Sequence, residues 1–308
     1  MLPRALGQVS KGAYMCIGNG MQNTMNALHS GTGLRVRVGC EFHYRAGQPT
    51  PAVFLVRPEG EPPYRVLEER WTTTPDLEFS DYRDLYGNVC RRLTLPEGSF
   101  HLSYDAFVAT PDEPDPVELG AEQLAVADLP DDVLVYTLPS RYCLSDVLSE
   151  RAWELFGNMP AGWARVQQIS DWVHNHVQFA YGTSTRATTA LDVYERGVGV
   201  CRDFTHLGIT FCRALNIPAR YVFGYIPDID VPPPDAPMDF CAWFEAYLGG
   251  RWWTFDPRNN QRRKGRVPIA RGRDALDVAM VTTYGAPILE KMIVWADEAR
   301  LVGGRFTD

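Results

Sequence analysis

The sequence contains no run approaching the ~20 apolar residues that a membrane-crossing helix needs, so no helical membrane span is expected. Nor does it carry an excess of positive charge. Lys and Arg number 30 against 38 Asp and Glu, a net charge of -8. A general nucleic-acid binder must neutralise phosphates with a basic surface, so that class is set aside. The basic stretch Arg262-Arg263-Lys264 with Arg266 reads as a solvated loop. No C-x-x-C pair occurs among the seven cysteines, at 16, 40, 90, 143, 201, 212 and 241, which argues against a zinc ribbon or a thioredoxin-type site. Their odd number and long spacings fit buried thiols in a reducing compartment. The first twenty residues hold no signal-peptide apolar stretch, and the cytoplasm is the expected setting. There is no internal repeat, calcium loop or nucleotide motif, so neither a cofactor nor a metal is expected.

What is present is ordinary globular material. Apolar residues make up 45% and charged residues 22% of 308, enough for about two domains with a real core. Residues 1–33 are rich in Gly, Asn and Met without period; they read either as a disordered arm or as upstream sequence read from an early start, with Met21 or Met25 as later candidate starts. Residues 34–112 read as a β-rich domain. LRVRVGCEFHY alternates apolar and polar residues, and PAVFLVRP, YRVLEERWTT, CRRLTLP and FHLSYDAFVAT follow between turn-rich pieces. Short strands at this spacing predict an antiparallel, sandwich-like domain. Residues 113–138 are acidic and proline-bearing, a surface connector.

From 139 to 308 the pattern predicts an α+β domain, helices first and antiparallel strands after. GWARVQQISDWVHNHVQF places Val166, Ile169, Trp172, Val173 and Val177 on one helical face. CRDFTHLGITFCRALN does the same for Phe204, Leu207, Gly208, Phe211, Cys212 and Leu215, and Pro218 marks its end. ARYVFGYI reads as a strand, 227–238 as a proline-rich loop that is a lid or a plain surface loop, and DFCAWFEAYL-GG-RWWTFDP as a hairpin turning on Gly249-Gly250.

Cys201 opens the strongest helical pattern, directly after Gly-Val-Gly-Val. Free N–H groups and a partial positive charge at a helix head stabilise a thiolate, which predicts a thiol pKa below the free value of about 8.5. The same amides could hold an oxyanion. In a two-residue hairpin Trp243 faces Asp256 and Cys241 faces Arg258. Cys241, Trp243, Glu245 and Tyr247 then share a face with Asp256, about 7–8 Å diagonally from Cys241. A base on the first strand could be oriented there by a carboxylate on the second, the arrangement of a cysteine hydrolase.

GVGVCRDFTHLGITFCRALNIPARYVFGYI followed by DFCAWFEAYLGGRWWTFDP, with YGTSTRATTALDV ahead of them, resembles the bacterial transglutaminase-like superfamily core over roughly 140–260. The fold implied is a papain/transglutaminase-like core behind an all-β sandwich-like domain. The resemblance assigns Cys201 as nucleophile and Asp256 as third member of a triad. It would put histidine at 241, where this chain has Asp239-Phe240-Cys241-Ala242-Trp243. A positioned general base contributes about 10²–10⁴-fold. A second thiol is shorter, has an ordinary pKa of about 8.5 and forms no imidazolium, so acyl transfer is expected to be slow. Surrogate bases are sought in His174, His176 and His206. His206 lies about 140° round the helix from Cys201, and His174 and His176 about 200° apart, so at most one of these two faces the cleft. His29, His43 and His101 read as surface or packing residues. Tyr181, Trp243 and Arg258 are candidate substrate or oxyanion contacts. Cys201 and Cys241 also raise a reversible disulfide, or a weak metal site with Asp256.

The resemblance therefore implies an amide or isopeptide bond hydrolase, a cysteine protease acting on a peptide or protein through an acyl-enzyme at Cys201. Hydrolysis is expected over cross-linking, because many bacterial relatives are described as proteases. The alternative is a catalytically degenerate core that binds a peptide or partner protein.

Overall fold

The computed structural model describes residues 33–302 and 305–307. The expected arm at 1–33, with Cys16 and His29, lies outside these except for residue 33. Six strands come first: β1 (Leu34–Ala46), β2 (Thr50–Phe54), β3 (Arg65–Thr74), β4 (Ser80–Arg83), β5 (Val89–Leu95) and β6 (Gly98–Thr110). On β1 the period-two pattern turns Val36, Val38, Cys40, Phe42 and Tyr44 inward, each large apolar side chain contributing about 1.5–3 kcal/mol by burial. Phe42 and Phe54 meet edge to face, ring centroids 5.7 Å apart, which joins the sheet of β1 to that of β2 as a sandwich.

Two strands of the sandwich come from the far end of the chain. The sheets run β14-β1-β6-β3 and β13-β2-β5-β4, where β13 is Val281–Thr283 and β14 is Ile288–Glu298. Val36 pairs with Glu298 and Phe42 with Met292. The stretch 281–298, expected in the 139–308 domain, thus completes the N-terminal sheets. The connector 113–138 is pinned along its course rather than loose: Ala121 accepts from the Trp163 amide and Gln123 donates to the Leu215 carbonyl at 2.9 Å each.

The remaining elements are α1 (Ser149–Phe156), α2 (Trp163–His176), β7 (Gln178–Phe179), α3 (Ala190–Arg196), β8 (Val198–Gly199), α4 (Cys201–Ala214), β9 (Ala219–Tyr225), β10 (Cys241–Leu248), β11 (Arg251–Phe255) and β12 (Val267–Gly272), with β15 (Arg300–Val302) paired to β16 (Arg305–Thr307). β9 to β12 form one antiparallel sheet in the order β11-β10-β9-β12. No helix among the described residues is long and apolar enough to cross a membrane. The architecture is α+β, with helices against an antiparallel sheet behind a β-rich N-terminal unit.

α4 is the centre of this half. The sequence predicts one apolar face, but every residue from Asp203 to Ala214 is buried, because β9 and β10 close one side and α1, α2 and α3 the others. Gly208 allows the close approach: a Cβ there would stand 2.7 Å from the Phe244 ring. Arg213, enclosed in this helix, spends its guanidinium on carbonyls of Ala219, Leu138 and Arg273. Gly249 and Gly250 both take positive φ, 57° and 84°, as a two-residue hairpin turn requires.

Candidate active site

α4 begins where Val200 adopts an extended conformation and its N–H donates to Asp203 Oδ2 at 2.9 Å. The carboxylate, three residues inside the helix, reaches back over the terminus. It also accepts from Ser184 at 3.0 Å and from Arg202 at 3.1 Å. Asp203 is thus the fixed point that orients the helix head. Sequence reasoning missed it, although an acidic residue three places after the cap is the signal that could have found it.

Cys201 is half-buried at that head. Its sulfur lies 3.9 Å from the Phe240 carbonyl oxygen, and the Ala242 and Arg202 amides point at it. The reason is the length of the hairpin. Pairing of β10 with β11 stops at Phe244 opposite Phe255, while β9 still covers the other edge, Cys241 facing Gly224 and Ala242 facing Phe223. The main chain of 240–242 is therefore free on one side, and the thiol occupies that notch. The expected register holds from Leu248 opposite Arg251 to Phe244 opposite Phe255. The expected pairs Trp243–Asp256 and Cys241–Arg258 do not form, because the chain turns at Asp256, whose carbonyl accepts from Asn260 N–H.

Burial pushes the Cys201 thiol up to about 11; the Ala242 amide opposes this, Asp239 adds to it, the Arg202 amide opposes, and Asp256 adds. The expected depression is overturned: the helix-head amide acts in the predicted direction but is outweighed by desolvation and two carboxylates. Cys241, half-buried at the start of β10, packs against Val222, Ile226 and Trp243. Its sulfur lies 3.8 Å from the Asp239 carbonyl oxygen. Burial raises it further than Cys201, with Cys201 and Asp256 adding to the rise and Arg266 opposing. Asp239 is itself raised by burial, against the Phe240 amide that donates to it at 2.7 Å.

Asp256 is 6% exposed. It accepts from the Asn259 main chain at 3.0 Å, the Asn259 side chain at 2.8 Å and Arg266 Nη2 at 2.8 Å. Burial works to raise its pKa, but the Arg266 guanidinium and Asn259 hold it below the usual carboxylate range. Arg266 also donates to Asp115 at 2.8 Å and lies over the Trp243 ring, 5.0 Å from its centroid. The basic stretch is therefore not a solvated loop. Arg263 and Arg266 are both buried, and Arg263 pairs with Asp228 at 2.9 Å. Lys264 holds Asp230 at 2.7 Å, which ties down the 227–238 loop.

Tyr181 is 61% exposed at the rim of the notch. Its hydroxyl is raised by burial first, then by Asp239, Cys201 and Cys241, with Arg258 opposing. Phe179 sits edge-on to Tyr181, ring centroids 5.0 Å apart, and Arg258 lies over the Phe179 ring at 4.4 Å. Trp243 is not a surface a substrate can touch: it is 2% exposed, beneath Arg266. Glu245, on the same face, is opposite Thr254 and carries Arg220 and Arg271.

Each of the three histidines considered as a surrogate base is engaged by main-chain groups. His174 Nδ1 is 3.0 Å from the Pro257 carbonyl oxygen. His176 Nε2 is 2.7 Å from the Tyr194 carbonyl oxygen, and its ring is stacked on Trp172. His206 is wholly buried, accepts from the Ala275 amide at 3.1 Å and stacks on Tyr142; burial drives its pKa well below the ordinary value. Both thiols are free, and Cys201, Cys241 and Asp256 do not bring three ligand atoms within 4.8 Å of one another, so the metal-site idea falls.

A thiol at the head of a buried helix, set against an antiparallel sheet behind a β-sandwich, defines a core of the papain-related type. The Transglutaminase-like superfamily model matches residues 152–257. A crystal structure from Cytophaga hutchinsonii, described as a "Putative Cysteine Protease", is 35% identical and superposes with a TM-score of 0.80 over 86% of this chain and 91% of that one. An uncharacterized protein of Mycobacterium leprae is 27% identical over 80% of this chain and 91% of its own length. One of Mycobacterium tuberculosis is 27% identical over 70% of this chain and 74% of its own. The chain belongs to the transglutaminase-like superfamily.

Proposed function

We propose that the notch at Cys201 receives an amide or isopeptide bond of a peptide or protein, and that Cys201 Sγ is the attacking atom of a slow hydrolase. Attack forms a carbon–sulfur bond and breaks the carbon–nitrogen bond, and the thiol proton leaves on the departing amine. Water then cleaves the thioester, regenerating the thiol and releasing a carboxylic acid. The observation that carries this reading is the position of the Cys201 sulfur at the head of α4, 3.9 Å from the Phe240 carbonyl oxygen and against the edge of 240–242 that β11 leaves unpaired, where free main-chain N–H groups of the helix head could take the developing oxyanion. Tyr181 and Arg258 border the notch as substrate contacts. Asp256 is the third member by position in the family motif. No cofactor is invoked. A reducing compartment such as the cytoplasm suits the four buried thiols Cys40, Cys90, Cys143 and Cys212.

A second reading, a degenerate core that binds a peptide without turnover, is favoured by the thiol held up to about 11 and by Cys241 where the family motif expects histidine. One experiment separates them. Turnover of an unfolded protein or peptide library is followed by mass spectrometry for wild type and Cys201→Ala. Slow cleavage abolished by Cys201→Ala supports the hydrolase. Retained peptide binding with no cleavage in either protein supports the binding module instead.

A further inference from the structure

On the outer face of the N-terminal sandwich, on the side of β1 opposite to Phe42, which stacks on Phe240, three side chains converge. Glu41 and His43 lie two residues apart on β1, and His101 is directly opposite His43 on β6. Their inward neighbours Cys40, Phe42, Phe100 and Leu102 fill the core, so the period-two alternation turns all three outward. The imidazole rings stand 4.5 Å apart. His43 Nε2 is 3.6 Å and His101 Nε2 3.7 Å from the same oxygen, Glu41 Oε2, and the three ligand atoms all lie within 4.8 Å of one another.

We infer that Glu41, His43 and His101 form a binding site for a divalent transition-metal ion, with zinc the best match to the donor set. The distances carry the argument. Hydrogen bonds to a carboxylate from ring nitrogen run to about 3.2 Å, and neither histidine comes that close. With metal–ligand bonds of about 2.1 Å, two ligands of a tetrahedral zinc ion stand about 3.4 Å apart. The two observed separations are within a few tenths of an ångström of that edge. Both Nε2 atoms are also buried without a hydrogen-bond partner. That is costly for an imidazole nitrogen and is what a nitrogen aimed at a metal looks like before the metal arrives. Two imidazoles with one carboxylate select zinc and its first-row neighbours over calcium or magnesium, which prefer all-oxygen shells.

The surroundings fix the character of the site. Lys291, cross-strand from His43 on its other side, is exposed, so its ammonium can stay in water. Three protein ligands leave a fourth position toward solvent, for water or a donor from another molecule. The ion would tie β1 to β6 and act independently of Cys201. The spacing Glu41-x-His43 with His101 58 residues on (101 − 43) has no metal-motif signature, which is why these histidines read as surface or packing residues.

The test is a calorimetric titration of chelator-treated full-length protein with Zn²⁺ in a non-thiol reductant. One equivalent should bind with micromolar or tighter affinity. His43→Gln and His101→Gln should each weaken binding at least tenfold, and Glu41→Gln should weaken it as well. Cys201→Ser with Cys241→Ser should leave it unchanged. The Co²⁺ spectrum of wild type needs no substitution: d–d bands without a thiolate charge-transfer band are expected. Absence of saturable binding, binding that survives both histidine changes, or a thiolate band would overturn the assignment.

Discussion

Arg266 Nη2 donates to Asp256 Oδ2 at 2.8 Å, and both side chains are almost wholly enclosed. The carboxylate at the third position of the family motif is therefore held by a guanidinium and by Asn259 rather than by a ring on β10. Asp115 takes the other donating edge of Arg266, so two carboxylates share one buried cation beside the notch. Truncating that cation leaves both uncompensated, whereas removing Asp256 leaves Arg266 one partner.

Arg266→Met should accordingly destabilise the fold by about 3–5 kcal/mol, the range for breaking a buried ion pair from one side. Asp256→Asn should fall below that range. Urea midpoints of the two variants against wild type check the order; a reversed order would mean that Asp256 is held chiefly by Asn259 and not by Arg266.

The same pair sets an acid limit. The folded pKa of Asp256 lies below its ordinary value, which for an unfolded aspartate is about 3.9. A depressed carboxylate contributes stability that is complete above the unfolded value and is lost as pH falls through the folded one. The urea midpoint should drop between pH 5 and pH 3 more steeply in wild type than in Asp256→Asn. Parallel curves would show that other carboxylates govern acid unfolding.

Thiol chemistry offers a third check. With Cys201 pushed up to about 11, its thiolate fraction at pH 7 is about two to three orders of magnitude below that of a free cysteine near 8.5. Iodoacetamide labelling of Cys201, located by peptide mapping, should be slow at pH 7 and climb without a plateau to pH 10. Cys241, raised further by the same burial, should label no faster. A plateau below pH 8 would reveal a cationic partner for the sulfur.

Restoring the motif residue should act in the opposite direction. Cys241→His introduces an imidazole on the strand that already touches Cys201, and amide hydrolysis should rise by about 10²–10⁴-fold, the usual contribution of a positioned general base. The gain should vanish in the double variant with Cys201→Ala. An unchanged rate would mean that Asp256, bound to Arg266, does not release to orient the ring.

The parts of the fold legible in the sequence were those with local period or local turn chemistry. β1 alternates cleanly, Gly249-Gly250 fixes a hairpin whose register holds as far as Phe244 opposite Phe255, and α4 starts at Cys201. β4 was illegible because all four of its residues, Ser80 to Arg83, are exposed. β12 was hidden by Pro268, tolerated because β12 is the outer strand of its sheet. At the site, the placement of Cys201 against 240–242 could be read from motif order. The Arg266–Asp256 pair could not, because a cluster of basic residues looks solvated until the acids that enclose it, Asp115 and Asp228, are brought in from distant segments. The thiol's raised pKa was missed for a similar reason: desolvation depends on everything that packs around the helix head.

The pairing of Val36 with Glu298 has a consequence for biosynthesis. While the ribosome is still translating the helices around Cys201, β1 has emerged with one hydrogen-bonding edge uncovered, and it stays so until the distant strand that caps it is released. An open edge of that length is a template for pairing with another nascent chain. Fragments ending before residue 288 should therefore clump rather than fold.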